Sequence, residues 1–99
     1  MKGNFEKLIN GDLPVLIDFY ATWCGPCKAQ LPIIQDVAGD VKGQMRVIKI
    51  DIDKNQALCE ELAVMSVPTL MIYKEGEQKW IRSGMQTKKK IMDAINKVI

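Results

Sequence analysis

Cys24 and Cys27 stand three residues apart in the stretch YATWCGPCK, Tyr20 to Lys28, of a chain with three cysteines and no histidine. Two thiols at that spacing can form a structural bridge, half of a metal site, or a reactive dithiol. A bridge closing so small a loop removes little entropy from the unfolded chain. Zinc usually takes four ligands, and only Cys59 and carboxylates could join this pair. A dithiol fits better. Where a helix opens at the motif, residues i and i+3 share a face about one turn apart, which suits the Cα separation of about 5 to 6 Å that a disulfide needs. The unpaired N–H groups and positive dipole end of a helix N-terminus favour thiolate at the first cysteine, so Cys24 is the expected nucleophile. Pro26 fits a first turn without losing a hydrogen bond, and Gly25 lets the backbone pass close to a substrate.

Two further ionisable residues interrupt apolar runs. Asp18 lies between Ile17 and Phe19, where an ionised carboxylate is costly to bury and is expected to be protonated, hydrogen-bonded or paired. Lys49 interrupts the run RVIKIDID in a similar way. The two could act in the chemistry or form a buried ion pair with only a structural role. Cys59, beside Leu58, Leu62 and Ala63, reads as core filler or as a regulatory thiol, with filler favoured by how often free cysteine is buried.

The elements that must position these groups are legible as patterns. PVLIDFYA, Pro14 to Ala21, is apolar on both faces apart from Asp18, as expected of a central strand covered on each side. RVIKIDID, Arg46 to Asp53, is a second such run. Leu31, Ile34, Val37, Ala38 and Val41 recur between them at helical spacing, giving a right-handed βαβ unit in which Pro32 should kink the helix. A short helix begins near Asn55, and VPTLMIYKEGEQKWIRSG forms a hairpin turning at Glu75-Gly76. Ile91, Ile95 and Val98 form one stripe behind Thr87, an expected N-cap, and another helix is expected across Gly3 to Ile9.

Ninety-nine residues, 47% apolar and 26% charged, fit one globular domain spanning 1–99. The formal charge of +2 is too small to suggest a nucleic-acid partner, and Lys88 to Lys90 read as a solvated helix face. No apolar run is long enough for a signal peptide or membrane span, and three cysteines are an odd number for a disulfide framework. A cytoplasmic chain is the expectation.

The order α, βαβ, α, ββα around CGPC resembles the thioredoxin family, through DFYATWCGPCK with Pro32 five places on, VIKIDID, VPTLMIY and Gly84. Tyr20 stands where the family commonly has tryptophan, and few residues precede the first helix, so the resemblance implies an α/β fold with a mixed sheet of four or five strands flanked by helices. It implies a protein-disulfide reductase without a cofactor of its own. Its partners would be disulfide-containing proteins and a flavin-dependent thioredoxin reductase as electron donor, and the chain would act as a monomer. Cys24 and Cys27 would be catalytic, with Asp18 and Lys49 behind them and Asp18 taking the proton of Cys27. Pro68 would be cis and face the dithiol, letting Val67 pair with a bound peptide, and Trp23 and Gly84 would complete the docking surface. Met65 could join that surface or pack in the core. An oxidant or isomerase, or a binding subunit whose thiols are incidental, are the alternatives on this fold.

Overall fold

The computed structural model describes residues 2–99. Helix α1 (Lys2–Ile9) leads into strand β1 (Val15–Tyr20), helix α2 (Gly25–Asp40), strand β2 (Arg46–Asp51) and helix α3 (Gln56–Glu61). Strands β3 (Thr69–Lys74) and β4 (Glu77–Ser83) then form a hairpin, followed by helix α4 (Lys88–Asn96). Among the described residues the sheet has four strands in the order β2-β1-β3-β4, with β1 parallel to β2 and antiparallel to β3.

Side chains alternate across a strand, and the two faces of this sheet carry separate cores. Leu16, Leu70 and Ile72 pack with Ile34 and Val37 of α2 and with Ile91, Ala94 and Ile95 of α4. Val15, Ile17, Phe19, Met71 and Tyr73 pack with Phe5 and Ile9 of α1 and with Leu58 and Cys59 of α3. The alternation fixes the direction of Asp18. Two residues beyond Leu16, it faces α2, and Lys49, paired with it in the parallel register, lies on the same face.

Connections follow from local chemistry. Glu75 and Gly76 both have positive φ (53° and 82°), as a two-residue hairpin turn of the primed type requires, and the Gly76 N–H donates to the Ile9 carbonyl at 3.0 Å, tying the turn to α1. Ala63, expected from its spacing to extend the buried stripe of α3, is instead exposed and left-handed at φ 57°. It ends the helix: its N–H donates to Glu60 O and that of Val64 to Cys59 O, the paired bonds that satisfy the last free carbonyls. α2 continues through Pro32 to Asp40. The lysine run at the start of α4 faces acids, with Lys88 bonded to Asp36 and Asp40 of α2 and Lys89 to Asp93.

The Thr87 hydroxyl accepts the Lys90 N–H at 3.2 Å, capping α4. Thr87→Ala should therefore lower stability by about 1 kcal/mol in urea denaturation. An unchanged midpoint would mean that the cap does not hold in solution.

Candidate active site

Cys24 is the residue at which extended backbone becomes helix. With φ −91° and ψ 115° it caps α2, and its Sγ accepts the Cys27 N–H at 3.1 Å. Pro26 occupies the first turn, where its missing N–H leaves nothing unpaired. Cys24 and Cys27 are joined as a disulfide with Cα atoms 5.3 Å apart, within the separation expected from their spacing.

Burial does not distinguish the two cysteines, which are 4% and 5% exposed. Their neighbours do. Cys24 Sγ lies 3.7 Å from the Val67 carbonyl oxygen, at the surface loop that carries the cis Val67–Pro68 peptide bond. Cys27 lines a half-open pocket of about 210 Å³, shared with Asp18, Tyr20, Lys28, Leu31 and Lys49. A pocket of that size, with charged and polar groups in its wall, has room for several waters.

Asp18 is 1% exposed, and its Oδ1 has no hydrogen-bond partner. Burial raises its pKa from 3.8 to about 6, against the opposing pull of the Lys49 charge. Of the two readings of Asp18 and Lys49, the buried ion pair does not hold for Lys49. It is exposed, and its ammonium lies 5.1 Å from the centre of the Tyr20 ring. β2 is an edge strand, so its long side chain reaches water while keeping the charge near Asp18.

Trp23, next to Cys24, is 67% exposed, and Met65 is 93% exposed, which removes Met65 from the core. Gly84 adopts φ +85°, in the left-handed region that disfavours side chains, and its N–H donates to the Pro68 carbonyl at 2.8 Å. Val67 is half-buried, outside the ladder that begins at Thr69, and packs against the cluster of Ala21, Cys24 and Cys27. Cys59 lies in the opposite core among Phe5, Leu58 and Tyr73, apart from the other two cysteines, and burial pushes its thiol pKa up. Among the described residues, no group of three or more His, Cys, Asp or Glu side chains gathers at one point.

Two contacts have no counterpart in the sequence reading. The Trp23 indole donates to Asp53 Oδ2 at 2.9 Å, joining the motif to the turn after β2. Gln30, with no exposed surface, bonds through its amide to the backbone of Gln86. Its signal was present, because Gln30 falls three residues after Cys27 and four before Ile34 on an otherwise apolar face. Asp53 offers no comparable signal, since it reads as one more polar residue closing the run RVIKIDID, two places beyond the Asp51 at which β2 ends.

The thioredoxin family model matches residues 1–97. Thioredoxin from Rickettsia felis is 45% identical over 94 residues, covering 95% of this chain and 90% of the relative. Thioredoxin from Staphylococcus saprophyticus is 42% identical over 94 residues, covering 95% and 89%. The fold is similar to the crystal structure of oxidized mitochondrial thioredoxin 3 from Saccharomyces cerevisiae, with a TM-score of 0.88, 29% identity, and coverage of 98% of this chain and 90% of that one.

Proposed function

The chain belongs to the thioredoxin family, and from that premise we propose which of its atoms carry the family's thiol–disulfide exchange. It is a thiol–disulfide oxidoreductase that reduces protein disulfides through a redox-active dithiol. In the proposed sequence the Cys24 thiolate attacks one sulfur of a substrate disulfide, forming a mixed disulfide and expelling the other sulfur as a thiolate. Cys27 then gives up its proton, and its thiolate attacks Cys24 Sγ, releasing the second substrate sulfur. The two electrons of the dithiol end on the substrate, and the protein is left as the Cys24–Cys27 disulfide.

Asp18 is the proposed acceptor of the Cys27 proton, by way of water in the pocket that both residues line. Its raised pKa, about 6, makes it a stronger base than an exposed carboxylate, and Lys49 steadies the charge it carries when ionised. The substrate chain is proposed to lie along Val67, whose main chain is outside the sheet, between Trp23 and Gly84, with cis Pro68 against the dithiol. Gly25 and Pro26 shape the turn beneath it. The proposed electron donor is a flavin-dependent thioredoxin reductase. The proposed setting is the reducing cytoplasm, with residues 1–99 acting as one domain and as a monomer. No helix among the described residues is long and apolar enough to cross a membrane.

The observation that carries the assignment of Cys24 is the N–H of Cys27 aimed at its sulfur at the start of α2. A negative sulfur gains from that donor and from the helix dipole, whereas Cys27 has the end of the helix behind it. Iodoacetamide alkylation of the reduced protein against pH should give a Cys24 pKa well below the ~8.5 of a free thiol. A value near ~8.5 would reject Cys24 as an activated thiolate.

A further inference from the structure

Gln30 occupies a position on an otherwise apolar helix face, where an aliphatic side chain is the ordinary occupant. It has no exposed surface and sits on the face of α2 that carries Cys27, Ile34 and Val37. A buried amide is unfavourable unless both of its ends are paired, and here both are. Its Nε2 donates to the Gln86 carbonyl at 3.0 Å, and its Oε1 accepts the Gln86 backbone N–H at 2.7 Å. Gln86 belongs to the short segment between β4 and α4 that has no ladder of its own. The same segment is held at its other end by the bond from the Gly84 N–H to Pro68 O, at 2.8 Å. Gly84 and Met85, the latter 47% exposed, are thus suspended between the helix that carries the dithiol and the loop that carries the cis proline.

We propose that Gln30 is a positioning residue for protein substrates, clamping the Gly84–Gln86 backbone to α2 so that a chain lying along Val67 meets a preformed second wall. The proposal rests on the reading above that Gly84 borders the substrate groove. Without the clamp the segment samples other positions, and each binding event must order it again, which weakens binding more than it slows the exchange itself. A small aromatic disulfide has no polypeptide to reach this wall, so its reduction does not depend on the clamp.

The test uses Gln30→Met, which keeps the apolar volume and removes both bonds. In single-turnover reactions of the pre-reduced protein with insulin, the half-saturating insulin concentration should rise about five-fold, with the limiting rate held within about two-fold. The second-order rate with 5,5′-dithiobis(2-nitrobenzoate) should stay within about two-fold, because no bond to either cysteine is lost. Equal loss with both substrates would overturn the proposal, since the effect would then lie at the dithiol, and so would an unchanged response to insulin. Met85→Ser, measured alongside, separates the two readings. If it weakens insulin binding while Gln30→Met does not, the wall is used and the clamp is not; if neither matters, the wall itself is not part of the groove. Amide exchange on the wild-type protein decides the matter even if Gln30→Met fails to fold. The Gln86 N–H should exchange at least about ten-fold more slowly than a free amide, and exchange at the free rate would remove the clamp.

Discussion

Cys27→Ser should accumulate mixed disulfides with protein substrates, and Cys24→Ser should accumulate almost none. In Cys27→Ser the attacking sulfur keeps its place at the cap of α2, against Val67, but nothing remains to displace the captured substrate. Adducts should survive denaturing, non-reducing gels and disappear on adding dithiothreitol. In Cys24→Ser the remaining thiol is as buried as the one replaced, and the difference lies in its partners: Cys27 lines the half-open pocket with Asp18, whereas the Cys24 sulfur sits at the Val67 carbonyl, where a substrate chain would lie. Both variants should lose turnover in insulin reduction to the uncatalysed background. Equal trapping by the two would keep the dithiol chemistry and reject Cys24 as the entering nucleophile.

Asp18→Asn should stabilise the protein at neutral pH and slow the release of captured substrate. Burial raises the folded pKa of Asp18 to about 6 from 3.8, so the folded protein binds this proton more tightly than the unfolded chain does. The carboxylate therefore costs stability above about pH 6, and that cost is relieved as pH falls from about 6 towards 4. At pH 7 it amounts to about 3 kcal/mol at most, and the neutral amide does not incur it. Urea midpoints should show wild-type stability rising on acidification through that window, and the variant losing the rise. The same substitution removes the proposed proton acceptor of Cys27, and release of substrate from the mixed disulfide should slow by about 10- to 100-fold. A variant that is less stable and releases substrate at the wild-type rate would reject both roles.

The chemistry of this protein is local, and so it was legible in the sequence. Cys24, Gly25, Pro26 and Cys27 fix a helix start, a sulfur at its cap and a partner one turn away, all within a few residues of backbone. The apolar run VLIDFY marked a strand covered on both faces, because a strand's period of two sends neighbouring side chains to opposite layers whatever the partner. Glu75-Gly76 fixed the hairpin, and Thr87 the start of α4, by the same short-range rules.

Long-range proximity decided the rest. Lys49 looked buried because its strand is apolar, but β2 lies at the sheet edge, and only the strand order exposes its ammonium. Ala63 matched the helical stripe, but the chain needed a left-handed residue there to close α3 and turn toward Pro68. The amide of Gln30 and the backbone of Gln86 are 56 residues apart, and Trp23 and Asp53 are 30 apart. Nothing in either partner's neighbourhood names the other. A hydrogen bond depends on distance in space, which the chain sets only when α2 has packed on the sheet and β2 and β4 have taken their places in it, so the groups that carry the reaction were written in the sequence while the arrangement around them came from the fold.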